Sequence, residues 1–238
     1  MKILIVLAHP EPKSINGQLK DKAKEVLEKA GHTVVVSDLY QMGFKAVADQ
    51  DDFQNREDPD FFKMQYEQRF NTMTEDIINE QKKVEEADLV LFQFPLWWGS
   101  MPAILKGWFD RVFTVPWSYS WPHLCDKGKM KGKKALVSIT TGGTPDYFGD
   151  RFPFGDLTKC LFHMLRGCLY FCGFEVLPPV YHYAVEENEQ NKIMEQWEEK
   201  LKNIENMKPI IFSKIEDYLI QGLPEDKKTD FEVINNFK

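Results

Sequence analysis

Three short stretches of the sequence combine polar, aromatic and glycine residues of the types that bind cofactors. The first, HPEPKSINGQ (residues 9–18), places Ser14, Asn16 and Gly17 directly before a helical pattern. Hydroxyl, amide and backbone N–H donors at a helix N-terminus form a phosphate site, which the helix dipole strengthens. His9 and Lys13 could add charge-assisted hydrogen bonds. This stretch predicts a phosphate site, with ordinary N-capping by Ser14 as the alternative.

The second stretch, PLWWGSMP (residues 95–102), contains the adjacent tryptophans Trp97 and Trp98. Neighbouring residues of a helix or strand point in different directions, so a single core face cannot bury both rings. Aromatic rings next to backbone N–H groups suit a flat ligand with polar edges. The stretch predicts one wall of such a site; the alternative is that both rings cover the top of a sheet.

The third stretch, TTGGTPDYFGD (residues 140–150), begins with two threonines and two glycines. Gly142 and Gly143 let the backbone approach a ligand closely, and Thr140 and Thr141 supply hydroxyl groups. An ordinary exit from a strand is the alternative. One loop thus suits a phosphate, one suits an aromatic ring and one permits close approach of the backbone. A flavin is a ligand that needs all three.

The elements that position these loops follow from the apolar pattern. Continuous apolar runs predict buried strands, and the periodic segments between them predict helices. Strands are predicted at residues 2–9, 32–40, 88–95, 133–143 and 174–185, and helices at residues 17–31, 74–87, 102–113, 156–173 and 187–207. Residues 41–71 are polar and poorly periodic, which indicates a long loop with short helices.

This alternation predicts an α/β fold. Short helical crossovers between strands make them parallel, so we expect a flavodoxin-like, doubly wound, five-stranded parallel sheet with helices on both faces. In the strand order 2-1-3-4-5, ligands bind outside the carboxyl ends of strands 1 and 3, where the order reverses. The three stretches follow strands 1, 3 and 4. We expect one domain, residues 1–206, and a C-terminal tail, residues 207–238.

Composition excludes several functions. The 238 residues carry a formal net charge of −7, which argues against nucleic acid or an anionic membrane as the main partner. The longest uncharged stretch, residues 89–105, is short and interrupted by turn residues, so we expect no membrane insertion. No G-x-G-x-x-G or G-x-x-x-x-G-K-[ST] motif is present, which argues against a Rossmann dinucleotide site and a nucleotide triphosphatase.

The cysteines and the N-terminus predict a cytoplasmic protein. The apolar run before His9 is too short for a signal peptide, so the four cysteines are expected to be reduced thiols. Cys168 and Cys172 stand four residues apart on a predicted helix, where two small apolar groups are expected rather than a metal or redox pair. We predict no metal site.

Four stretches resemble the NAD(P)H:quinone oxidoreductase (DT-diaphorase) family of flavodoxin-like flavoproteins. They are ILIVLAHPEPKSINGQL, EEADLVLFQFPLWWGSMPAILKGWFDRVF, KKALVSITTGG and FCGFEVLPP, and the resemblance spans roughly residues 1–206. It implies FAD rather than FMN as the cofactor, NAD(P)H as co-substrate and a small-molecule quinone as acceptor. It also implies a homodimer with active sites at the subunit interface. We expect the C-terminal tail to pack on the domain or on the dimer partner.

The resemblance also implies site residues, carried over position by position. His9, Ser14, Ile15 and Asn16 would meet the phosphates, and Gln65 would reach toward the adenine. The implied flavin contacts are Pro95, Leu96, Trp97, Trp98, Gly99, Thr140, Thr141, Gly142, Gly143 and Phe148. The implied quinone pocket contains Tyr119, Trp121, Phe154 and Phe171, with Tyr119 and Trp121 coming from the partner subunit.

The chain departs from the family pattern at several of these positions. Gly99 replaces a phenylalanine, which should widen the pocket. Phe148 and Phe154 stand where mammalian members carry a tyrosine and a histidine proposed to relay charge. Tyr147 is the candidate replacement; without it, backbone N–H groups alone would stabilise charge on the flavin. Tyr170 stands where a zinc-binding relative has a histidine ligand.

The predicted function is FAD-dependent two-electron reduction of quinones by NAD(P)H, with ping-pong hydride transfer. An azoreductase or nitroreductase of the same fold is the nearest alternative. A regulatory subunit of a potassium efflux system is an alternative of another class, because relatives of this family play that role. A flavodoxin-type electron carrier fits less well, since Tyr119, Trp121 and Trp98 suit an organic acceptor.

Overall fold

The computed structural model describes residues 1–70, 72–149, 155–185, 190–218, 222 and 227–234. Within these residues one parallel sheet contains the strands β1 (Lys2–Leu7), β2 (Thr33–Asp38), β3 (Leu89–Pro95), β4 (Lys134–Thr140), β5 (Glu175–Val176) and β6 (Val180–His182). The order is β2-β1-β3-β4-β5, and β6 pairs with β4. The predicted doubly wound sheet and its strand order are therefore confirmed.

The fifth strand differs from the prediction. Residues 174–185 form two short strands, and both pair with β4: β5 at Lys134 and Ala135, and β6 from Ser138 to Thr140. Between them lie Pro178 and Pro179. Proline has no N–H to donate to a sheet, so a continuous ladder is interrupted there. The carboxyl end of β6 still reaches the same edge of the sheet as the end of β4.

The helices lie on both faces, as predicted. The longer helices are α1 (Ile15–Lys29), α3 (Glu75–Glu86), α4 (Ala103–Val112), α5 (Leu157–Phe162) and α6 (Gln190–Lys202), and the short ones are α2 (Met64–Glu67) and α7 (Asp230–Ile234). The 3-10 turns are Gln50–Asp52, Gln68–Phe70, Cys125–Lys127, Pro145–Tyr147, Ile204–Asn206 and Ile215–Asp217. Helix α5 continues as a π-helical segment, His163–Tyr170, which the sequence pattern does not reveal.

The two cores follow from the alternation of side chains along each strand. Ile3, Ile5 and Leu91 face α1 and α6. Leu4 and Phe92 face α3, α4 and α5. Strand β3 is buried along its whole length, which explains its continuous apolar sequence. No helix of the described part of the chain is long and apolar enough to cross a membrane.

The described residues after Asn206 pack on the edge of the sheet. The N–H of Ile210 donates to the carbonyl of Val176 at 2.8 Å, and the side chain of Phe212 is buried in the core. Further along, Asp230 accepts hydrogen bonds from Arg166 Nε at 2.7 Å and from the Tyr218 hydroxyl at 3.0 Å. The tail is thus attached to the π-helical segment by a largely buried ion pair.

The four cysteines are free thiols. Cys172 is buried and Cys168 is half-buried against the core. Burial raises the pKa of the Cys172 thiol to about 12 and also raises the pKa of Cys168. Both thiols are therefore protonated near neutral pH and behave as small apolar side chains.

Candidate active site

A cleft of about 600 Å³ opens at the carboxyl edge of the sheet, where β1, β3 and β4 end. All three predicted stretches contribute to it. The residues that line it are His9, Ile15, Asn16, Pro95, Leu96, Trp97, Thr140, Thr141, Gly142, Val185 and Gln190. Val185 and Gln190 were not predicted; they come from the segment after β6 and the start of α6, whose approach depends on the fold.

The first wall of the cleft is the N-terminus of α1. The Ser14 hydroxyl accepts a hydrogen bond from the N–H of Gly17 at 3.2 Å, so Ser14 is the N-cap. The N–H groups of Ile15 and Asn16 have no acceptor within the described residues. Such unpaired donors at a helix N-terminus attract an anion. The capping role of Ser14 and a phosphate site are therefore compatible in one loop.

A buried polar layer lies beneath the cleft. Gln93 Nε2 donates to Asn16 Oδ1 at 2.9 Å, and Asn16 Nδ2 donates to Thr140 Oγ1 at 2.9 Å. The Asn16 side chain therefore points into the protein, and only its backbone N–H remains as a donor at the N-terminus of α1. Sequence reasoning missed Gln93, although a lone amide inside the apolar run LVLFQFP is a visible signal.

A second buried polar pair lies in the same layer. His182 Nε2 is 2.9 Å from the Ser138 hydroxyl, and its ring packs edge-on against Trp197. Burial lowers the pKa of His182 to about 4, so the imidazole is neutral at physiological pH. His182 also fixes the cleft loop, because its carbonyl accepts a hydrogen bond from the N–H of Thr141 at 2.9 Å.

The tryptophan pair lies in a tight hairpin. Trp97 and Ser100 exchange two backbone hydrogen bonds of 3.0 Å, and the residues between them have positive φ angles, 52° at Trp98 and 71° at Gly99. This is a type I′ turn, in which glycine is favoured at the second position. Trp98 is fully exposed and Trp97 is 39% exposed, so neither ring is core.

Gly99 has a conformational reason for being glycine, in addition to the pocket width expected from the sequence. A Cβ atom built on Gly99 would meet only Cys160 Sγ, at 3.8 Å. Space is therefore available, and it is the positive φ that disfavours other side chains.

The third loop turns sharply after β4. The N–H of Gly143 donates to Thr141 Oγ1 at 3.2 Å, and the Gly143 carbonyl accepts from the N–H of Ala184 at 3.1 Å. A Cβ on Gly143 would lie 2.9 Å from the ring of Phe148. Glycine is therefore required here for the packing of Phe148, whatever ligand the loop also meets.

The positions related to charge relay lie beside the cleft. Tyr147 ends a 3-10 turn and is 48% exposed. Phe148 lines a neighbouring cavity of about 250 Å³, with its ring 5.7 Å from that of Tyr183. Phe154 lies outside the described residues.

Two of the expected quinone residues, Tyr119 and Phe171, line a separate site, which we call the aromatic groove. Its walls come from α4, Tyr119, the π-helical segment and Phe171, and its volume is about 150 Å³. The rings of Tyr119 and Phe171 are 5.4 Å apart. Gln65 Nε2, in the side chain expected near the adenine, donates to the Tyr119 hydroxyl at 3.0 Å. Trp121 is 80% exposed.

The C-terminal tail supports the loop that carries Tyr119 and Trp121. Asp126, in the 3-10 turn that follows this loop, accepts a hydrogen bond from the N–H of Ile215 at 2.9 Å. Within a single chain, Tyr119, Trp121 and Phe171 do not line the cleft. Nine of the predicted cofactor residues line the cleft: His9, Ile15, Asn16, Pro95, Leu96, Trp97, Thr140, Thr141 and Gly142. The predicted cofactor residues that do not line it are Ser14, Gln65, Trp98, Gly99, Gly143 and Phe148, and the predicted quinone residues Tyr119 and Phe171 line the groove.

Comparison with known proteins agrees with this architecture. A family model described as a flavodoxin-like fold matches residues 1–204. Among characterised relatives, ribosyldihydronicotinamide dehydrogenase (quinone) of Mus musculus is 45% identical over 217 residues, which cover 88% of this chain and 94% of the mouse protein. NAD(P)H dehydrogenase (quinone) 1 of Cavia porcellus is 40% identical over 220 residues, or 89% of this chain and 80% of that protein.

A solved structure gives the same result in three dimensions. A chain from Klebsiella pneumoniae, described provisionally as a quinone reductase, superposes with a TM-score of 0.92 at 36% sequence identity. The alignment covers 98% of this chain and 99% of the Klebsiella chain. The similarity therefore extends over the segment after Asn206 as well as the sheet.

Proposed function

The chain belongs to the NAD(P)H:quinone oxidoreductase family of flavodoxin-like proteins, and from this premise we propose that it uses a bound flavin to reduce quinones with NAD(P)H. The family identified from the sequence is thus confirmed, and the chain is an oxidoreductase. The relatives' names, which specify quinone as acceptor, support the reaction.

The main support for the proposal is that three strands end at one cleft. The walls come from β1, β3 and β4, which lie side by side at the reversal of strand order. Ligands of doubly wound sheets bind at this point. The volume of about 600 Å³ is within the usual range for small-molecule sites.

The donors and aromatic surfaces of the cleft fit a flavin. The unpaired N–H groups of Ile15 and Asn16 suit a phosphate at the start of α1. The hairpin of Trp97 and Trp98 offers exposed aromatic surface beside it, and Thr141 supplies a hydroxyl on the opposite side. We propose FAD rather than FMN from the family resemblance; the contact of Gln65 with Tyr119 adds no support for an adenine site.

In this proposal the protein binds and orients, and the cofactor supplies the redox chemistry. When bound, a flavin would supply hydride chemistry between NAD(P)H and the quinone, and two separate half-reactions at one site would give ping-pong kinetics. The cleft floor is rigid, because Gln93, Asn16 and Thr140 are hydrogen-bonded and buried. Backbone N–H groups of the loops would stabilise negative charge at the ring edge without changing protonation. We propose that the side chain of Tyr147 adds to these backbone groups.

We further propose a homodimer in which the aromatic groove of one subunit completes the cleft of the other. The exposed ring of Trp121 and the ring pair of Tyr119 and Phe171 support this, because none of these rings lines the cleft of its own chain. Exposed apolar patches of this kind mark interaction sites. The free thiols support a cytoplasmic location.

The proposal is tested by loading the purified full-length protein with FAD or FMN and measuring steady-state rates. NADH, NADPH and ribosyldihydronicotinamide serve as donors, with menadione, an azo dye and a nitroaromatic as acceptors. We expect a yellow protein, parallel double-reciprocal plots and the highest kcat/KM with menadione. Failure to bind either flavin would refute the proposal, and preference for the azo dye or nitroaromatic would favour the alternative reductase.

A further inference from the structure

The buried amides beneath the cleft connect Gln93, Asn16 and Thr140 through hydrogen bonds, and the longest of these, from Thr140 Oγ1 to Asn16 Oδ1, is 3.2 Å. Gln93 Nε2 donates to Asn16 Oδ1, and Asn16 Nδ2 donates to Thr140 Oγ1, each at 2.9 Å. All three side chains are at most 2% exposed. Water therefore does not compete for these groups, and each amide orientation determines that of the next one along the chain.

The direction matters because a threonine hydroxyl has one proton. Where Asn16 donates to Thr140 Oγ1, the hydroxyl proton is not needed for that bond and can turn toward another acceptor. Inside the protein the Thr140 hydroxyl donates to Asn16 Oδ1 over a longer distance, 3.2 Å, and that oxygen already accepts from Gln93. Thr140 is one of the residues that line the cleft, so an acceptor atom of a bound ligand would compete with Asn16 Oδ1 for this proton.

Reversing both amides would give the opposite result. Asn16 would then donate to Gln93 and accept the proton of Thr140, and the cleft would meet only lone pairs of the hydroxyl. The two directions make opposite chemical demands: the first selects a ligand acceptor such as a ring carbonyl oxygen, and the second selects a ligand donor. Gln93 Oε1 has no partner within the described residues, which agrees with Gln93 serving the chain as a donor.

We propose that Gln93 and Asn16 are positioning residues that make Thr140 a hydrogen-bond donor to an acceptor atom of the flavin. This inference rests on the proposed function, because it needs a flavin in the cleft. It assigns a role to Gln93, which touches no part of the cleft surface itself. Asn16 contributes through its side chain from below, while its backbone N–H remains available to a phosphate.

The test is a double-mutant cycle on flavin affinity in the full-length protein. Thr140→Val removes the hydroxyl at nearly constant volume. Asn16→Asp keeps the shape but turns residue 16 into an acceptor for both neighbours, so the proton of Thr140 is held inside the protein. FAD is titrated into each apoprotein and the dissociation constant is measured by flavin fluorescence. Each single variant should bind FAD roughly fivefold more weakly, the usual size of one net hydrogen bond.

The cycle separates this effect from the charge that Asn16→Asp introduces. If the new carboxylate acts through the Thr140 hydroxyl, then the double variant should bind FAD no more weakly than Thr140→Val alone. Thr140→Ser keeps the hydroxyl and should restore affinity to within about twofold of the wild type. Gln93→Met removes the donor without adding a charge and should weaken FAD binding severalfold, and circular dichroism checks that each variant is folded.

The outcomes are distinct. Wild-type affinity in Thr140→Val would show that the hydroxyl does not meet the flavin, and wild-type affinity in Asn16→Asp would show that Thr140 already donates to Asn16. Additive losses in the double variant would indicate a charge effect; each of these results overturns the inference. A wild-type protein that binds no FAD would instead refute the proposed function.

Discussion

The cleft and the aromatic groove are assembled in different ways. The cleft is made by loops that follow neighbouring parallel strands, so the topology of the sheet alone brings His9, Trp97 and Thr141 together. The groove instead joins Gln65, Tyr119 and Phe171, whose meeting depends on long loops and a π-helical segment. A parallel sheet thus makes one site robust and predictable, whereas the second site depends on individual tertiary contacts.

A substitution in the C-terminal tail should have the largest effect on stability, and it tests whether the cleft is independent of the tail. Asp230→Ala removes the acceptor of the largely buried Arg166 and of the Tyr218 hydroxyl. Burial by itself would lower the pKa of Arg166, but hydrogen bonds to Tyr218 and Asp230 raise it overall. Leaving this cation without its partner should lower the free energy of unfolding by roughly 3–5 kcal/mol in urea titrations.

The matched control for Asp230→Ala is Lys106→Gln. Lys106 lines the groove and forms a solvent-exposed pair with Asp110, so its loss should cost less than about 1 kcal/mol. The dissociation constant for FAD should stay within about twofold of the wild type in Asp230→Ala. A large loss of FAD affinity would contradict the independence of the cleft from the tail.

Alanine substitutions at two glycines show how well the cleft and the groove tolerate an added methyl group. A Cβ on Gly17, in the first turn of α1, would lie 1.9 Å from the carbonyl oxygen of Pro12, so Gly17→Ala must displace the first cleft loop. We expect a destabilisation of about 3 kcal/mol and weaker FAD binding. Gly167, in the groove, has nothing within 4 Å of a built Cβ, and Gly167→Ala should change stability by less than about 1 kcal/mol. Thermal unfolding measures the stability change in both variants. Equal destabilisation by the two substitutions would contradict the expected difference between the cleft and the groove.

The buried imidazole beneath the cleft predicts a pH dependence. His182 has a folded pKa of about 4, below its ordinary value of 6.5, so the unfolded state binds the proton more readily between these values. Stability is therefore fully present above pH 6.5 and decreases as the pH falls toward 4, by about 2 kcal/mol at pH 5. His182→Gln, which cannot titrate, should lose less stability than the wild type between pH 7.5 and pH 5, by roughly that amount. Parallel urea curves for the two proteins over this range would exclude a role for His182.

The smallest expected effect is at the hairpin. Trp98 is fully exposed and has a φ of 52°, a conformation that asparagine tolerates better. Trp98→Asn should raise the free energy of unfolding by about 1 kcal/mol and weaken FAD binding. Unchanged FAD affinity with raised stability would mean that the ring does not cover the flavin, whereas lower stability would mean that it packs on protein.

The sequence predicted the sheet and the cleft for one physical reason. Apolar runs long enough for buried strands alternate with helices, and right-handed crossovers leave few possible orders. Once the order is given, the loops after β1, β3 and β4 must share an edge. Gln93 was missed because reading its strand as a continuous apolar run gave no reason to ask what its amide would bind. The contact between Gln65 and Tyr119 was not predicted, because the two residues are 54 positions apart in the chain.

By itself, the sequence therefore determined the fold class, the strand order, the family and the three loops of the cleft, because these depend on local periodicity and topology. Only the tertiary structure decided which side chains turn inward, as Asn16 does, and which remain exposed, as Trp98 does. It also decided the break in the fifth strand, the π-helical segment and the attachment of the tail through Asp230. These features depend on the burial of polar groups by residues distant in sequence, and that burial is known only when the whole chain is packed.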